Sequence, residues 1–290
     1  NQVKVDKYID TNGDGLPDDR TGDGLVTSAD CYVCGQTLAD IVPLWEAGKQ
    51  LALKDAATRS IYTWVDSDHD GIVDSGEQIS FDTANEATLR PYLRAATSAD
   101  GTKIINFVRG CDPSSCAEQA ATRDRRLQVP PTSGTLKVWK LGDIIHSTPT
   151  VVASPKDRYD AVYGDESYSA FLQHYYNRRQ VAYVGGNDGM LHAFNAGFYH
   201  PGDDSSTTGT NRVEHGYFTR TATDNSGGPV LGEELWGFIP YQLLPQLEWL
   251  TRADYQHTYY VDLPIKVADV RIFAADTDHP NGWGTILIGG

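Results

Sequence analysis

Apolar and polar positions are patterned most clearly between Gln180 and Asn195. Val181, Tyr183 and Val184 are strand formers, Asn187-Asp188-Gly189 supplies positive-φ residues for a tight turn, and Met190 to Phe194 resumes the apolar run. The stretch predicts a β-hairpin. A two-stranded hairpin is marginal alone and leaves open edges, so this one is expected inside a larger sheet. Further strands are predicted at Leu136 to Leu141, Thr150 to Ala153, Glu234 to Ile239, His257 to Val261, Ile265 to Phe273 and Thr285 to Ile288, separated by Gly and Pro turns. A short amphipathic segment, Ser169 to Asn177, precedes the hairpin. His200 to Gly232 is too polar to pack and reads as an inserted loop, either a variable contact surface or slack.

Upstream the period changes. Leu38, Ile41, Val42, Trp45, Leu51 and Leu53 recur at helical spacing, interrupted by Pro43 and Gly48, which predicts two short helices or one kinked helix. Ser60 to Val65 is strand-like, and Ile79 and Phe81 supply a returning arm. Helices are predicted within Asp82 to Ala96, with Pro91 near the middle, and over Asp100 to Gly110, where glycine takes the C-terminal capping position. Pro130-Pro131-Thr-Ser-Gly134 reads as a linker. The expected organisation is therefore an α+β region over 1–134 and an all-β region over 135–290.

Composition adds a sign to this picture. The 290 residues are 40% hydrophobic, enough for a real core, and carry 24 basic against 39 acidic side chains, a net charge of −15. That balance argues against a nucleic-acid partner, which needs clustered Lys and Arg, and makes cations the natural guests. No apolar run approaches the roughly 20 residues of a membrane span. The start at Asn1 has neither an initiator Met nor an apolar signal core, and Gly284-Thr-Ile-Leu-Ile-Gly289 reads as a strand whose turn is just beginning, so the sequence is expected to be a piece of a longer or processed product.

The four cysteines lie in two close pairs, Cys31 with Cys34 and Cys111 with Cys116. Such pairing points to disulfides in an exported protein, with three connectivities open. A four-thiolate zinc site is the rival, less suited to the five-residue step of the second pair. Attached haem fails because Gly35, not His, follows Cys34.

The acidic residues are not scattered. From Asp66, oxygen donors fall at the positions of a twelve-residue calcium loop: Asp66, Asp68, Asp70, the Ile72 carbonyl, Asp74 and Glu77, with Gly71 at the bend. A hard cation wants six to eight oxygens on a sharply curved backbone, and this spacing turns successive side chains inward. Apolar residues on both sides make the loop the tip of a hairpin rather than an EF-hand between helices. Residues 10 to 30 hold two overlapping windows. One runs Asp10, Asn12, Asp14, the Leu16 carbonyl and Asp18, with Thr21 where an acid should close it; the other runs Asp19, Thr21, Asp23, the Leu25 carbonyl, Thr27 and Asp30. The overlap resembles thrombospondin type 3 repeats, and the second window alone resembles a dockerin loop, which would seek a cohesin partner. One to three calcium ions are expected, in a structural role.

Three later motifs occur in order: Gly142-Asp-Ile-Ile-His-Ser-Thr-Pro149, Tyr183-Val-Gly-Gly-Asn-Asp-Gly-Met-Leu-His-Ala-Phe194 and Trp236-Gly-Phe-Ile-Pro240. With Arg59-Ser-Ile-Tyr-Thr63 and Phe107-Val-Arg-Gly110 upstream, they resemble the PilY-type type IV pilus tip adhesins over about residues 45 to 290. The resemblance implies the opening blades of a modified β-propeller, completed by other sequence or another chain. It also implies an exported, cell-surface or pilus-tip protein needed for pilus assembly and retraction control, with pilus subunits or a host or abiotic surface as partners and with calcium dependence and adhesion in several members. The type A domain that many members carry upstream is missing, as is the family's late propeller calcium loop, so the calcium positions above rest on spacing alone.

The hairpin followed by Leu-His-Ala-Phe and a later Trp also resembles the blades of quinoprotein dehydrogenases, making a pyrroloquinoline quinone enzyme the rival. No two cysteines are adjacent as in those enzymes, and Trp236 is expected to pack between blades rather than dock a cofactor. His146 and His192 are read as hydrogen-bonded core histidines, since neither has a nucleophile or acid at motif spacing. No nucleophile elbow, zinc-protease pair or phosphate loop is present. The reading is a non-enzyme.

Overall fold

The computed structural model describes residues 4–8, 10–11, 16–31, 33–37, 43–129, 136–202 and 216–290. The chain divides into two compact units, one of residues 1–44 and 199–218 and the other of 45–198 and 219–290. In the smaller unit β1 (Lys4–Lys7) pairs antiparallel with β2 (Val33–Thr37), and the acidic stretch lies between them in sequence.

In the larger unit the elements follow as α1 (Ala47–Leu53), β3 (Ile61–Trp64), β4 (Gln78–Ser80), α2 (Glu86–Leu89) and α3 (Ser98–Arg109). Next come β5 (Arg126–Gln128), β6 (Leu136–Val138), β7 (Thr150–Val152), α4 (Tyr159–Tyr163) and α5 (Glu166–Tyr175). The expected hairpin is β8 (Gln180–Gly186) and β9 (Met190–Pro201). After it come β10 (Gly216–Thr219), which falls in the smaller unit but for its last residue, and then β11 (Glu234–Phe238), α6 (Leu247–Thr251), β12 (Lys266–Arg271) and β13 (Trp283–Ile288).

Seven strands make one sheet in the order β4-β3-β11-β9-β8-β7, with β10 also paired to β9. Along that six-strand path every pairing is antiparallel except β3 with β11, which run parallel, Ile61 opposite Gly237 and Tyr62 opposite Phe238. Backbone bonds from Gly237 N to Ser60 O and from Ile239 N to Tyr62 O, both 2.9 Å, complete that junction. The boundary expected near residue 134 is thus crossed by the sheet itself.

Strand alternation gives the sheet two unlike faces. On one, Ile61, Met190 and Ile239 bury against Ile104, Ile105, Phe107 and Val108 of α3 and against Leu247 and Leu250 of α6. Leu51 of α1 covers Ala182, Val184 and Phe194 on the same face. Each such side chain contributes on the order of 1.5–3 kcal/mol of transfer free energy. α3 is well delimited: Thr97 accepts from Asp100 N at 3.1 Å, and Gly110 ends it at φ 84°, as the sequence predicts. The other face is half-exposed and is described below.

Three expectations need correction. The region after residue 135 is not all-β, since α4, α5 and α6 lie in it, and His257 to Val261 forms no strand. The segment around Pro91 makes only the four-residue α2, because proline lacks the N–H that would extend the helix. The expected blades do not close into a ring among the described residues: β3, β4, β7, β8, β9 and β11 join with β10 in one sheet, while β12 and β13 form a separate antiparallel hairpin. Tyr168, Phe171 and Trp283 pack α5 against that hairpin.

Both cysteine pairs are disulfides, Cys31 with Cys34 and Cys111 with Cys116, with Cα atoms 5.6 and 6.1 Å apart. The zinc alternative is thereby removed. No helix among the described residues is long and apolar enough to cross a membrane.

Candidate functional site

The Asp66 loop joins β3 to β4, so its ends are pinned by the Tyr62–Ser80 and Trp64–Gln78 pairs. Asp66, Asp68 and Asp70 bring one carboxylate oxygen each to within 4.8 Å of one another. Asp74 and Glu77 are not in that group. The Glu77 carboxylate instead accepts from Ser67 N at 2.6 Å, Ser67 Oγ at 2.7 Å and Asp74 N at 3.0 Å. Those bonds, that from Asp74 first, hold Glu77 below the usual carboxylate range. Gly71 bends the chain at φ 79°. Three converging carboxylates on a bend, with lone pairs left on a fourth, are a donor set that fits a hard cation.

The loop from Asp19 repeats this wiring. The residue at position 6 donates to the carboxylate at position 1, Gly24 N to Asp19 at 2.6 Å and Gly71 N to Asp66 at 3.1 Å. Position 7 donates to position 5, Leu25 N to Asp23 at 2.9 Å and Ile72 N to Asp70 at 2.7 Å. Position 9 donates to the closing acid, Thr27 N to Asp30 at 2.8 Å, matching Asp74 N to Glu77. Asp30 also accepts from Thr21 N at 2.7 Å, and these N–H groups, Thr27 foremost, bring it down to about 2. Two stretches of different sequence thus close by the same backbone bonds. Of the remaining window, Asp18 accepts from Thr11 N at 2.9 Å, whereas Asn12 and Asp14 lie outside the described residues. The Asp19 loop ends in a single 3-10 turn, Ser28–Asp30, before β2, and the Asp66 loop runs into β4, so neither is followed by the helix a dockerin needs.

The motifs that carry the family resemblance meet at the β8–β9 turn. Only Gly189 there has positive φ, 92°, while Asn187 and Asp188 use their side chains to anchor the segment before β7. Gly142 N donates to Asp188 Oδ2 at 2.8 Å, Asn187 Nδ2 donates to Asp143 at 3.0 Å, and Gly185 N donates to Ser147 Oγ at 2.9 Å. A Cβ on Gly142 would stand 2.3 Å from Asp188 N, so a side chain cannot fit.

From this turn a chain of buried charges crosses the sheet. His192 Nε2 faces Asp188 at 3.0 Å, His192 Nδ1 faces Glu234 Oε1 at 2.8 Å, and Arg59 grips Glu234 at 2.7 and 2.8 Å. Arg59 also donates to Arg109 O at 2.9 Å, and Arg109 to Phe81 O at 2.9 Å and Arg59 O at 2.8 Å. A neutral imidazole has one N–H, and two carboxylates flank this ring, so His192 is an imidazolium. Burial alone would lower its pKa; Asp188 and then Glu234 outweigh burial and raise it to about 9. Asp188, His192, Glu234 and Arg59 alternate acid with base and cancel, the condition for burying charge, while Arg109 at the end of the row spends its N–H groups on backbone carbonyls.

Of the two motif histidines, only His192 is therefore a core histidine. His146 is 60% exposed on its side chain, pairs with Asp262 and lies 5.2 Å from the Tyr259 ring. The acid partner judged absent from His192 is Asp188, four residues earlier in the same motif, which the hairpin turn folds back onto it. Glu234 gave no local signal, since its two partners are 42 and 175 positions away.

No protein-family model matches the chain, and no solved structure matches it. Curated proteins do. A type IV pilus biogenesis factor PilY1 homolog of Xylella fastidiosa (strain Temecula1) is 29% identical over 223 residues, 73% of this chain and 14% of that protein. Type IV pilus biogenesis factor PilY1 of Pseudomonas aeruginosa (strain PAK) is 25% identical over 264 residues, 88% of this chain and 17% of that protein. The chain is therefore related to type IV pilus biogenesis factors. Within them its relatives are PilY1-type proteins, and it spans 14% to 17% of their length.

Proposed function

We propose that this chain is a scaffold segment of a non-enzymatic, exported pilus-biogenesis protein that supports type IV pilus assembly, retraction control and surface attachment. One observation carries the reading: four of the five motifs of the family resemblance supply or bond to one buried charge row, and the fifth, Trp236 to Pro240, continues the strand that carries its Glu234, so what they specify is a shape rather than a reaction centre. His192 has both nitrogens spent on carboxylates and no open face from which to take a substrate proton. On this reading the protein acts at the cell surface or pilus tip, where pilus subunits or a host or abiotic surface are its partners. The β12–β13 hairpin would be completed into a propeller by further sheets of a longer protein.

Calcium is part of the proposal. Asp66, Asp68 and Asp70 with the Ile72 carbonyl, Asp74 and Glu77 would hold one ion, and the Asp19 to Asp30 loop, by its matching wiring, a second. The ion supplies the positive charge that clustered carboxylates need to stay close, so that binding free energy becomes folding free energy.

The test is a chimaera of the Pseudomonas aeruginosa relative in which the matched segment is replaced by this chain. Surface piliation and twitching should be kept, and lost when the insert carries both Arg59→Gln and Glu234→Gln. Full piliation with a scrambled insert of equal length would remove the scaffold role.

A further inference from the structure

The open face of the seven-stranded sheet forms a cleft of about 770 Å³ whose far wall is α5 and β13. Its floor comes from the alternate positions of the strands that build the charge row: Tyr62 of β3, Tyr183 of β8, and Trp236 of β11. Tyr183 and Trp236 lie 5.6 Å apart between ring centroids, tilted by 50°, and all three rings are half-exposed. A cavity of this volume, lined by aromatic and aliphatic side chains with a few polar and charged groups, is of the kind that takes small organic ligands.

One end of the cleft is cationic, in a chain whose net charge is −15. Arg178 and Arg179 both line it, and although Asp278 lines the cleft too, among the described residues neither arginine has a carboxylate within ion-pair distance. Arg178 is nonetheless fixed. It donates from Nε to Ala153 O and from Nη1 to Thr285 Oγ1 at 3.0 Å, with its guanidinium carbon 5.4 Å from the Tyr175 ring centre. Burial lowers its pKa, and Asp269, which holds the far side of Thr285 Oγ1, only partly offsets that without reaching the guanidinium itself. By contrast the fully buried Arg59 has Glu234 in a two-pronged grip. A guanidinium held rigid, half-desolvated and open on its Nη2 edge is preorganised for an oxyanion.

We propose that the cleft binds an amphipathic organic anion, its oxyanion on Arg178 and its flat apolar body against Trp236, Tyr183 and Tyr62. The site is independent of the calcium loops and of the pilus reading, and either can fail without the other.

Two fluorescent probes test it on the full chain: anilinonaphthalene sulfonate, a flat apolar anion, and phenylnaphthylamine, its uncharged counterpart. The sulfonate should bind one-to-one and saturably, quenching tryptophan emission. Arg178→Gln should weaken it by about tenfold or more, the loss of one charge-assisted contact, and leave the uncharged probe unchanged. Unsaturable binding, or equal loss of both probes in a variant that melts like wild type, overturns the proposal. Should Arg178→Gln fail to fold, hydrogen exchange on the wild type decides: the sulfonate should slow residues 176–186 and 234–238, and slowing confined to other segments overturns the site.

Discussion

His192 is the residue on which most depends, because its charge is neutralised only in the folded chain. Its folded pKa, about 9, exceeds the unfolded 6.5, so the stabilisation is complete below about pH 6.5 and drains away as pH rises through 9. His192→Gln leaves Asp188 and Glu234 facing a neutral group and should cost about 3–5 kcal/mol near neutrality. Guanidinium unfolding at pH 6, 8 and 9.5 should show the gap between wild type and variant narrowing with pH; a constant gap would mean the imidazolium is not the source. Gly142 tests the turn in a different way. Gly142→Ala forces a methyl into the backbone of Asp188 and should destabilise by about 1–3 kcal/mol, read as a lower denaturation midpoint at unchanged slope.

At the scale of elements, the β3–β4 hairpin links the acidic loop to the sheet. Its loop closes through backbone N–H groups that the carboxylates already engage, while its strands carry Tyr62 and Ile61 into the main sheet. Chelation should therefore lower the melting temperature and expose the region before residue 110 to protease. Glu77→Gln should abolish most of the rise in melting temperature that added calcium gives to wild type. A melt identical in chelator and in calcium would dismiss the ion as a structural element.

At the scale of the molecule, the parallel β3–β11 pair places residues 45–129 in one unit with the strands that follow residue 136. Glu234 has Arg59 as its partner, and α3 fills the core under β9 and β11. A fragment beginning at residue 136 should thus lack cooperative thermal unfolding and dispersed amide resonances. A stably folded fragment would restore the boundary that the proline-rich linker suggested.

What was legible in the sequence is what short-range physics fixes. The β8–β9 hairpin, the capped α3, the two disulfides and the spacing of the Asp66 loop are all local, set by turn chemistry, strand alternation and ligand arithmetic within some twelve residues. His192 as a buried, bonded residue was legible too, though its reason, the lack of an acid at motif spacing, was wrong, since Asp188 is its partner. Tertiary structure alone decided the rest, because the deciding partners lie far apart along the chain. Glu234 finds Arg59 across 175 positions, His146 turns outward to Asp262 across 116, and β3 enters the sheet beside β11 rather than staying in a domain of its own. No window of sequence contains such pairs, and for Arg59 and Glu234 burial makes the pairing obligatory, because a charge shut away from water is costly without its opposite.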